Sequence, residues 1–514
     1  MNTILKGVKK YQAFVLALGL FLVFSFLFES TIAFLGASLG GLVWYSFEYW
    51  KMEKWDIPLL WYWGGFLVCA MLFVASHTFP FSLTSAPLGF DTGLYRYEFL
   101  ESLRALPEYF SQLFLGLPLI TDVFLLFGRD ISFLMQELYI GMFLVLAFVA
   151  TFVAREKWGR NAALFVMFLL SISLVQWEMF EMVLYKQVFA LALALYSLLL
   201  LSKRSYWCVI PLSFLVLLQP LDVVFVSAAA ILSAVLCKKN DPLRPFMMKI
   251  AGGGILALVP LFFLDQVFWE QAWQVFSDGF VAFDQLEFSL KTGVFFDLKE
   301  YGSFALPVLV LGLVGVVRQI QKEGVTVFVS YAVVLLLWVV LRLFFYQRLL
   351  IQLDIIMILF AGGVLADLFQ LSSKKWSRGV FVVGVILFSA PFISHVLDYR
   401  PLVSTREFDG IRQFCEDLDE GQYVMATDGR YGPWLRGYCP EQRVIAPGLF
   451  EYDLWTEDEW KAFWIDPYQV SRELFERFDD VVYVYIGDNQ TRLELPRVMF
   501  REVGRGWFEI SSGF

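Results

Sequence analysis

Histidine is nearly absent from this sequence, which contains only His77 and His395. A metal site built mainly from imidazole ligands is therefore excluded, and any divalent cation would be held by carboxylates and water, which suit Mg²⁺ or Mn²⁺. Cysteine is also scarce: three of the five lie in or at the ends of apolar segments, where they serve as small packing residues. The other two, Cys415 and Cys439, fall on a predicted helix and in a predicted loop, so a disulfide and two free thiols both stay open.

Charged residues make up only 17% of the 514 residues, whereas 59% are hydrophobic. Such a composition is too apolar for a soluble chain of this length, so we expect an integral membrane protein. The negative charge is concentrated at the C-terminus, because residues 398–514 contain 23 Asp and Glu against 13 Lys and Arg. An acidic tail argues against nucleic acid as a partner. The N-terminus predicts a basic flank leading into a retained first span, with no pattern of a cleavable signal peptide.

Apolar runs long enough to cross a bilayer recur through residues 1–397 and are absent from 398–514. We expect a polytopic α-helical membrane domain of about thirteen spans. The predicted spans are 11–28, 32–47, 57–76, 132–153, 161–176, 187–202, 207–219, 221–236, 250–264, 303–317, 326–342, 348–366 and 379–397. Basic clusters fall in alternate loops, which predicts a cytoplasmic N-terminus and an outer location for loops 77–131 and 265–302 and for the tail.

The tail, residues 398–514, alternates predicted helices and strands, which indicates a soluble extracytoplasmic α/β domain. Helices are expected at 406–418, 456–464 and 467–478, and strands at 423–427, 443–446 and 481–486 with a closing pair near 498–511. In the first outer loop, residues 95–114 predict an amphipathic surface helix. Residues 113–127 are interrupted by Pro118 and Asp122, which favours an interfacial or re-entrant helix over a full span.

Asp91 stands directly after an apolar segment, in the stretch Pro87–Tyr97 that starts the first long outer loop. A carboxylate where a membrane cavity opens to water can accept a proton or hold a metal ion, although a helix cap or a turn is the simpler role for an Asp beside Gly. Further polar groups collect at outer helix ends, where ordinary snorkelling is the alternative explanation. They are Glu178, Glu181 and Lys186 between spans five and six, Asp222 in a tight hairpin, and Arg342, Tyr346 and Arg348 in a late turn.

This order of parts resembles the GT-C superfamily of membrane glycosyltransferases, which includes protein O-mannosyltransferases, aminoarabinose transferases and the catalytic subunit of oligosaccharyltransferase. Enzymes of this superfamily move a sugar from a polyprenyl-phosphate carrier to an acceptor on the outer face. The matching segments are Phe90-Asp91 with Tyr95, Arg155 to Asn161, Tyr185-Lys186-Gln187, Tyr346-Gln347-Arg348 and, faintly, Ala426 to Trp434 followed by Arg443 to Pro447.

The resemblance implies a role for each of these groups. A lipid-phosphate donor already carries a good leaving group, so catalysis needs a base for the acceptor hydroxyl and cations for the departing phosphate. Asp91 would be the base of an inverting displacement, and Lys186, Arg342 and Arg348 would hold the phosphate. The remaining candidates are substrate-binding residues (Tyr95, Arg96, Glu178, Glu181, Asp222 and Tyr346) and acceptor-binding residues (Asp428, Tyr431 and Trp434). The expected partners are the polyprenyl-phosphate sugar, a protein, lipid or glycan acceptor, and the membrane.

The sequence departs from the superfamily pattern in three ways. The double-Trp-Asp-Tyr-Gly signature is absent, so recognition of a peptide sequon by the tail is not expected. No Asp-x-Asp pair occurs in the first two outer loops, so a reaction without any cofactor and one that needs a divalent cation, Mg²⁺ or Mn²⁺, both stay open. Two spans precede the usual core. A transporter or lipid flippase, or a scaffold whose outer domain binds a partner, are the rival interpretations.

Overall fold

The structure is a computed structural model, and its description covers most of the chain. The described residues are 16, 18–20, 37–43, 57–84, 86–89, 91–104, 116–237, 241–264, 298–343, 346–371, 389–429, 431–447, 455–465, 473–487, 500–504 and 506–510. Most of loop 265–302, including its aromatic residues Trp269, Trp273 and Phe276, lies outside these ranges. The first two predicted spans lie largely outside them as well.

Helices make up most of the described chain before residue 400. They are α1 (Leu59–Leu83), α2 (Thr92–Arg104), α3 (Gly116–Leu126), α4 (Ile131–Trp158), α5 (Arg160–Ser171), α6 (Leu174–Glu181), α7 (Tyr185–Ser202), α8 (Val209–Leu218), α9 (Pro220–Leu236), α10 (Leu243–Leu264), α11 (Leu298–Glu323), α12 (Val327–Val340), α13 (Tyr346–Leu371) and α14 (Ala390–Leu397). Within the described residues, five helices are long and apolar enough to cross a membrane, or six if the bent pair α5 and α6 is one span. The expected number of about thirteen spans is not confirmed.

Two predicted boundaries were wrong. Helix α1 continues to Leu83, beyond residue 76, where the third predicted span ends. The predicted span 161–176 is broken into α5 and α6, which meet at an angle of 50°. The break occurs because Ser173 has an extended backbone and its side chain accepts a hydrogen bond from the backbone N–H of Gln176, which starts a new helix. This break turns α6 toward the loop that carries Asp91.

Helix α13 is the centre of the helical bundle, since 94% of its most apolar stretch is buried. Glycines on α11 allow a close approach: a Cβ added at Gly312 would lie 2.8 Å from Cβ of Met357, and one at Gly315 would lie 2.7 Å from the carbonyl oxygen of Phe360. On another side, Gly362 of α13 packs against Val166 of α5. Helix backbones that approach this closely fix each other's position by van der Waals packing.

The segment between α1 and α4 contains two helices. Helix α2 covers the first part of the surface helix predicted at 95–114. The remainder of that predicted helix lies beyond the described residues. Helix α3 has 11 residues, which is too short to cross a membrane, in agreement with the expectation for residues 113–127.

The C-terminal α/β unit contains α15 (Thr405–Glu416), β1 (Tyr423–Ala426), α16 (Gly432–Tyr438), β2 (Arg443–Ile445), α17 (Glu457–Ile465), β3 (Val482–Tyr485), β4 (Arg501–Gly504) and β5 (Trp507–Ile510). The strand order is β2-β1-β3-β5-β4. Strands β2, β1 and β3 are parallel to one another, and β5 is antiparallel to both of its neighbours, β3 and β4. The expected α/β fold is thus present, and α16 is a helix that the sequence had not predicted. The helix expected at 467–478 lies partly outside the described residues. Helix α15 begins with a capping box between Ser404 and Glu407.

The two faces of the sheet bury different cores. Val424 and Ala426 pack with α15 and α16, whereas Tyr423 and Met425 pack with α17. Ala86, from the loop before Asp91, is fully buried in the first of these cores. A disulfide joins Cys415 at the end of α15 to Cys439 just after α16, which decides the alternative that the sequence had left open.

Replacing both Cys415 and Cys439 by Ala should destabilise the C-terminal unit. The bridge spans a sequence separation of 24 residues, and a crosslink closing a loop of that size contributes about 3 kcal/mol by restricting the unfolded chain. Hydrogen exchange of C-terminal peptides in increasing urea should show a lower unfolding midpoint. Cys237→Ala, at an unbridged position, is the control, and equal midpoints for the two proteins would contradict the prediction.

Candidate active site

The loop that carries Asp91 is pressed against the turn between α6 and α7. Gly89 has φ +80°, and a Cβ added there would overlap the carbonyl oxygen of Glu181. The backbone N–H of Asp91 donates a hydrogen bond to the carbonyl of Met182 at 3.4 Å. Val183 in the same turn has φ +58°, a strained conformation for a β-branched residue. Two constrained turns therefore place Asp91 beside the start of α7.

Asp91 immediately precedes α2. Its carbonyl accepts the backbone N–H of Tyr95 at 3.0 Å. The charges of Arg348, Glu98 and Lys186 act on its carboxylate.

Asp91 is half-buried, and the loss of water around it raises the pKa of its carboxyl group to about 6, against an ordinary value of 3.8. The positive charges of Arg348 and Lys186 oppose this rise, and the negative charge of Glu98 adds to it. A carboxylate with such a pKa is ionised near neutral pH and is still basic enough to accept a proton.

Lys186 lies on the first turn of α7 and pairs with α2. Its Nζ is 3.0 Å from Oε1 of Glu98 and 5.8 Å from the centre of the Tyr95 ring. Tyr95 also packs against Tyr185, with ring centres 5.7 Å apart. Asp91, Tyr95 and Glu98 are spaced four and three residues apart, so they share one face of α2. That face meets the beginning of α7.

Arg348 lies on the first turn of α13, where its charge acts on both Asp91 and Tyr95. Its carbonyl accepts a hydrogen bond from Nε2 of Gln187 at 3.0 Å, which joins α13 to α7. Tyr346, a predicted substrate-binding residue, is half-buried on the same turn. The structure therefore brings together charges from α2, α7 and α13 around Asp91.

Arg342 occupies a different position from the other predicted phosphate-binding residues. It is exposed in the turn after α12, with φ +48°. The side-chain charges that act on Asp91 are those of Arg348, Glu98 and Lys186. The predicted phosphate-binding role of Arg342 stays a prediction.

Glu178, Glu181 and His395 form a second polar cluster. Oε1 of Glu178 is 3.1 Å from Nε2 of His395, and one ligand atom from each of the three residues lies within 4.8 Å of the others. Glu178 and Glu181 are one turn apart on α6, and His395 comes from α14. Two carboxylates and an imidazole form a donor set suited to a divalent cation such as Mn²⁺ or Zn²⁺.

Asp222 lies inside the helical bundle, fully buried on α9. Its carboxylate accepts a hydrogen bond from Gln352 of α13, which also accepts one from the hydroxyl of Tyr331 at 3.3 Å. Asp354, two residues further along α13, accepts hydrogen bonds from Ser173 at 3.0 Å and from Gln176 at 2.9 Å. Asp222 thus takes part in a polar contact between helices, and its predicted substrate contact stays a prediction.

Arg96 faces away from Asp91 and toward the C-terminal unit. One of its guanidinium nitrogens donates to the carbonyl of Gly437, and the group stacks 4.5 Å above the ring of Tyr438. Among the acceptor candidates, Trp434 is fully buried and the Tyr431 hydroxyl donates to Glu407 at 3.3 Å. These side chains are occupied in packing, and of the three candidates only Asp428, half-buried after β1, reaches solvent.

Sequence reasoning missed Glu98, Gln187 and His395. Glu98 had a detectable signal, because it lies seven residues after Asp91 and therefore on the same helical face. Gln187 adjoins Lys186 in a segment that was singled out. His395 had no signal, since only the folding of the chain brings α14 to α6.

Comparison of whole structures shows a fold similar to that of the oligosaccharyltransferase of Archaeoglobus fulgidus and that of ArnT from Cupriavidus metallidurans. The oligosaccharyltransferase of Archaeoglobus fulgidus, in complex with Zn and sulfate, covers 87% of this chain and 73% of its own, with a TM-score of 0.55 and 11% identity. The same enzyme tethered to an acceptor peptide with the NVT sequon covers 83% and 69%, with a TM-score of 0.52 and 12% identity.

ArnT from Cupriavidus metallidurans, bound to undecaprenyl phosphate, covers 89% of this chain and 98% of its own, with a TM-score of 0.51 and 12% identity. No protein-family model and no curated protein matches the sequence. At these identities the likeness establishes the fold.

The pH dependence of stability should change when Asp91 is replaced by Asn. Because burial raises the folded-state pKa of Asp91 above 3.8, its contribution to the stability of the wild-type protein falls as the pH rises from about 4 to about 6. The amide of the variant does not titrate. The free energy of unfolding of the variant should therefore rise relative to that of the wild type by up to about 3 kcal/mol across this range. Thermal unfolding in detergent at several pH values measures the gain.

The matched control is Asp130→Asn, at an exposed loop position where Asn can also cap the following helix. Its unfolding temperature should follow that of the wild type at every pH. Parallel curves for Asp91→Asn and wild type would show that burial does not strain the charged form of Asp91.

Proposed function

We propose that this chain is a membrane glycosyltransferase that moves a sugar from a polyprenyl-phosphate carrier to an acceptor hydroxyl on the outer face. The observation that carries the proposal is the meeting of a half-buried carboxylate, Asp91, with two cations from distant helices, Lys186 and Arg348. This arrangement suits a reaction in which one group loses a proton and another leaves as a phosphate. The GT-C fold supports the same assignment.

In the proposed reaction, Asp91 accepts the proton of the acceptor hydroxyl as its oxygen attacks the anomeric carbon. The bond between that carbon and the phosphate oxygen breaks, and its electron pair leaves with the phosphate. Attack from the side opposite the leaving group inverts the anomeric configuration. Lys186 and Arg348 hold the phosphate and stabilise the charge that develops on it.

The position of Lys186 fits this role. In the structure its ammonium group pairs with Glu98, and both side chains are partly exposed. An ammonium group has three donors, so it can bind a phosphate oxygen while it keeps its contact with Glu98. The late turn contributes Arg348 and Tyr346, whereas Arg342 is exposed and is not needed. The undecaprenyl phosphate bound to the Cupriavidus ArnT supports a lipid phosphate as donor.

We further propose that Glu178, Glu181 and His395 bind a divalent cation. The sequence had favoured carboxylates and water as ligands, and the structure adds an imidazole, which shifts the preference toward Mn²⁺ or Zn²⁺. The Archaeoglobus enzyme of the same fold was solved in complex with Zn, which supports a cation in this chain. A cation here would neutralise two neighbouring carboxylates beside the turn that supports the Asp91 loop.

A transporter is the second candidate, because Asp222 and Asp354 are carboxylates buried within the bundle. Each of them is hydrogen-bonded to neutral side chains of neighbouring helices, which also suits a purely structural role. Product formed by purified protein in detergent, where no gradient exists, would exclude obligate transport.

Asp91→Asn should slow sugar transfer strongly, because an amide cannot accept the proton. With labelled polyprenyl-phosphate sugars and candidate acceptors, we expect kcat to fall by about 10²–10⁴-fold. The wild-type rate should rise with pH through about 6, the pKa of Asp91. Asp130→Asn is the control, and full activity of Asp91→Asn would overturn the proposal.

Glu181→Gln and His395→Gln should weaken cation binding. Removal of one of three ligands is expected to lower the affinity for Mn²⁺ by about tenfold or more. Electron paramagnetic resonance titration of the purified protein measures this affinity without any assay of activity. Glu323→Gln, an exposed carboxylate at the end of α11, serves as control. Equal Mn²⁺ affinity in the wild type and all three variants would contradict the proposed cation site.

A further inference from the structure

Two faces of helix α2 make contacts with other parts of the chain, and only one of these faces meets the charged groups around Asp91. Gly93, Arg96 and Tyr97 lie on the other face, against α16 of the C-terminal unit. We call this the α2–α16 contact, formed by Gly93, Arg96 and Tyr97 with Pro433, Arg436, Gly437 and Tyr438. Because Gly93 follows Asp91 by two residues, this contact brings the C-terminal unit close to Asp91.

The α2–α16 contact brings backbone against backbone. A Cβ added at Gly93 would overlap the carbonyl oxygen of Pro433, and one at Gly437 would overlap Cα of Gly93. The obstructing atoms are backbone atoms, which no side-chain rotation can move. Any larger residue at either position must therefore separate the two helices.

Two Arg side chains fix the orientation of the helices around this point. The Arg96 guanidinium stacks on Tyr438 and donates to the carbonyl of Gly437. In the opposite direction, the Arg436 guanidinium lies 4.0 Å from the centre of the Tyr97 ring. An Arg of each helix thus lies over an aromatic ring of the other helix. These two contacts oppose rotation of the helices as well as their separation.

The segment before Asp91 is attached to the same C-terminal unit. The hydroxyl of Thr84 lies 3.0 Å from that of Thr405, and Ala86 is fully buried in the core that includes Phe408 and Trp434. Helix α16 is itself fixed in that core through Trp434 and by the disulfide at Cys439. The C-terminal unit therefore holds the Asp91 loop on both sides of the carboxylate.

We propose that the C-terminal α/β unit is a positioning element for Asp91 and acts through the α2–α16 contact. The assignment of a catalytic consequence rests on the proposed function of Asp91, whereas the positional claim does not. Because Gly93 and Asp91 are two residues apart, a shift of α2 by about 1 Å reaches the carboxylate, and misplacement of that size can lower a rate about 10²-fold. Gly437 is then a positioning residue that touches no reacting atom.

Gly437→Ala tests the catalytic consequence. The new methyl group should push α2 away from α16, and we expect kcat to fall about tenfold or more while KM for the lipid donor changes by less than about twofold. Gly410→Ala is the matched control, because it lies on α15 of the same unit with open space around its Cβ. Wild-type kcat for Gly437→Ala would overturn the catalytic part of the proposal.

Arg96→Met is a second variant that leaves both backbones unobstructed. Loss of the guanidinium should lower kcat about threefold to tenfold by allowing α2 to rotate. In each variant, mass spectrometry after alkylation must show an intact bridge between Cys415 and Cys439, which confirms that the C-terminal unit has folded. Wild-type kcat for Arg96→Met in a folded protein would count against the orienting role of the Arg.

A reporter at residue 91 tests position without any activity. In an Asp91→Cys protein the new thiol should react slowly with a charged thiol reagent, because the site is half-buried between the α6–α7 turn and α2. The double variant Asp91→Cys with Gly437→Ala should react about fivefold faster or more, and Asp91→Cys with Gly410→Ala should match the single variant. Modification is read at residue 91 by peptide mass spectrometry.

The two kinds of failure are distinguishable. If Asp91→Asn transfers sugar at the full rate while the reporter still responds to Gly437→Ala, the proposed function fails and the positional inference stands. If the reporter reacts equally in all backgrounds, the C-terminal unit does not position Asp91, whatever the activity of the protein.

Discussion

The partial burial of the Asp91 carboxylate beside Lys186 and Arg348 is the interaction on which the rest of the site depends. Burial raises the pKa of the carboxyl group, and the charges of Arg348 and Lys186 lower it. Together they leave its pKa at about 6, where the ionised form is available and proton transfer is still favourable. Glu98 contributes to this balance, because it pairs with Lys186 and also repels the charge on Asp91.

The helical bundle makes this arrangement possible by fixing the start of α13. Glycines of α11 lie directly against α13, and Asp354 and Gln352 bind side chains of α6 and α9 further along the same helix. Polar contacts between apolar helices resist sliding, because a shifted carboxylate would lose its donors in a medium that offers no others. Arg348 consequently has a defined distance from α7, which the hydrogen bond from Gln187 also maintains.

Two features of the site lower the local stability of the fold. Val183 has an unfavourable backbone conformation, and Asp91 carries a charge where little water remains to solvate it. Such features persist only where the surroundings determine them from several directions. Here the Asp91 loop is bounded by the α6–α7 turn on one side and by α16 on the other, and the disulfide-linked C-terminal unit supports the second boundary. The C-terminal unit is thereby coupled to the helical bundle beside Val183.

Several elements followed directly from local sequence patterns. The span predicted at 187–202 is observed as Tyr185–Ser202, and the strand predicted at 423–427 is observed as Tyr423–Ala426. Periodicity and length are local properties, so they identify such elements well. The break at Ser173 was missed because a single side-chain cap interrupts an otherwise apolar run, and α16 was missed because its Gly and Pro indicate a turn unless packing overrides them.

By itself the sequence determined that this is a membrane protein with an acidic α/β tail, because composition and apolar run length decide those properties without any knowledge of contacts. It also singled out Asp91, Lys186 and Arg348, since charged groups at the ends of apolar helices are few. Only the tertiary structure separated Arg342 and Asp222 from that group, brought Glu98 and His395 to their partners, and buried Trp434 and Tyr431. Those outcomes depend on which helix faces meet, and residues far apart in the chain carry no local signal of their future distance.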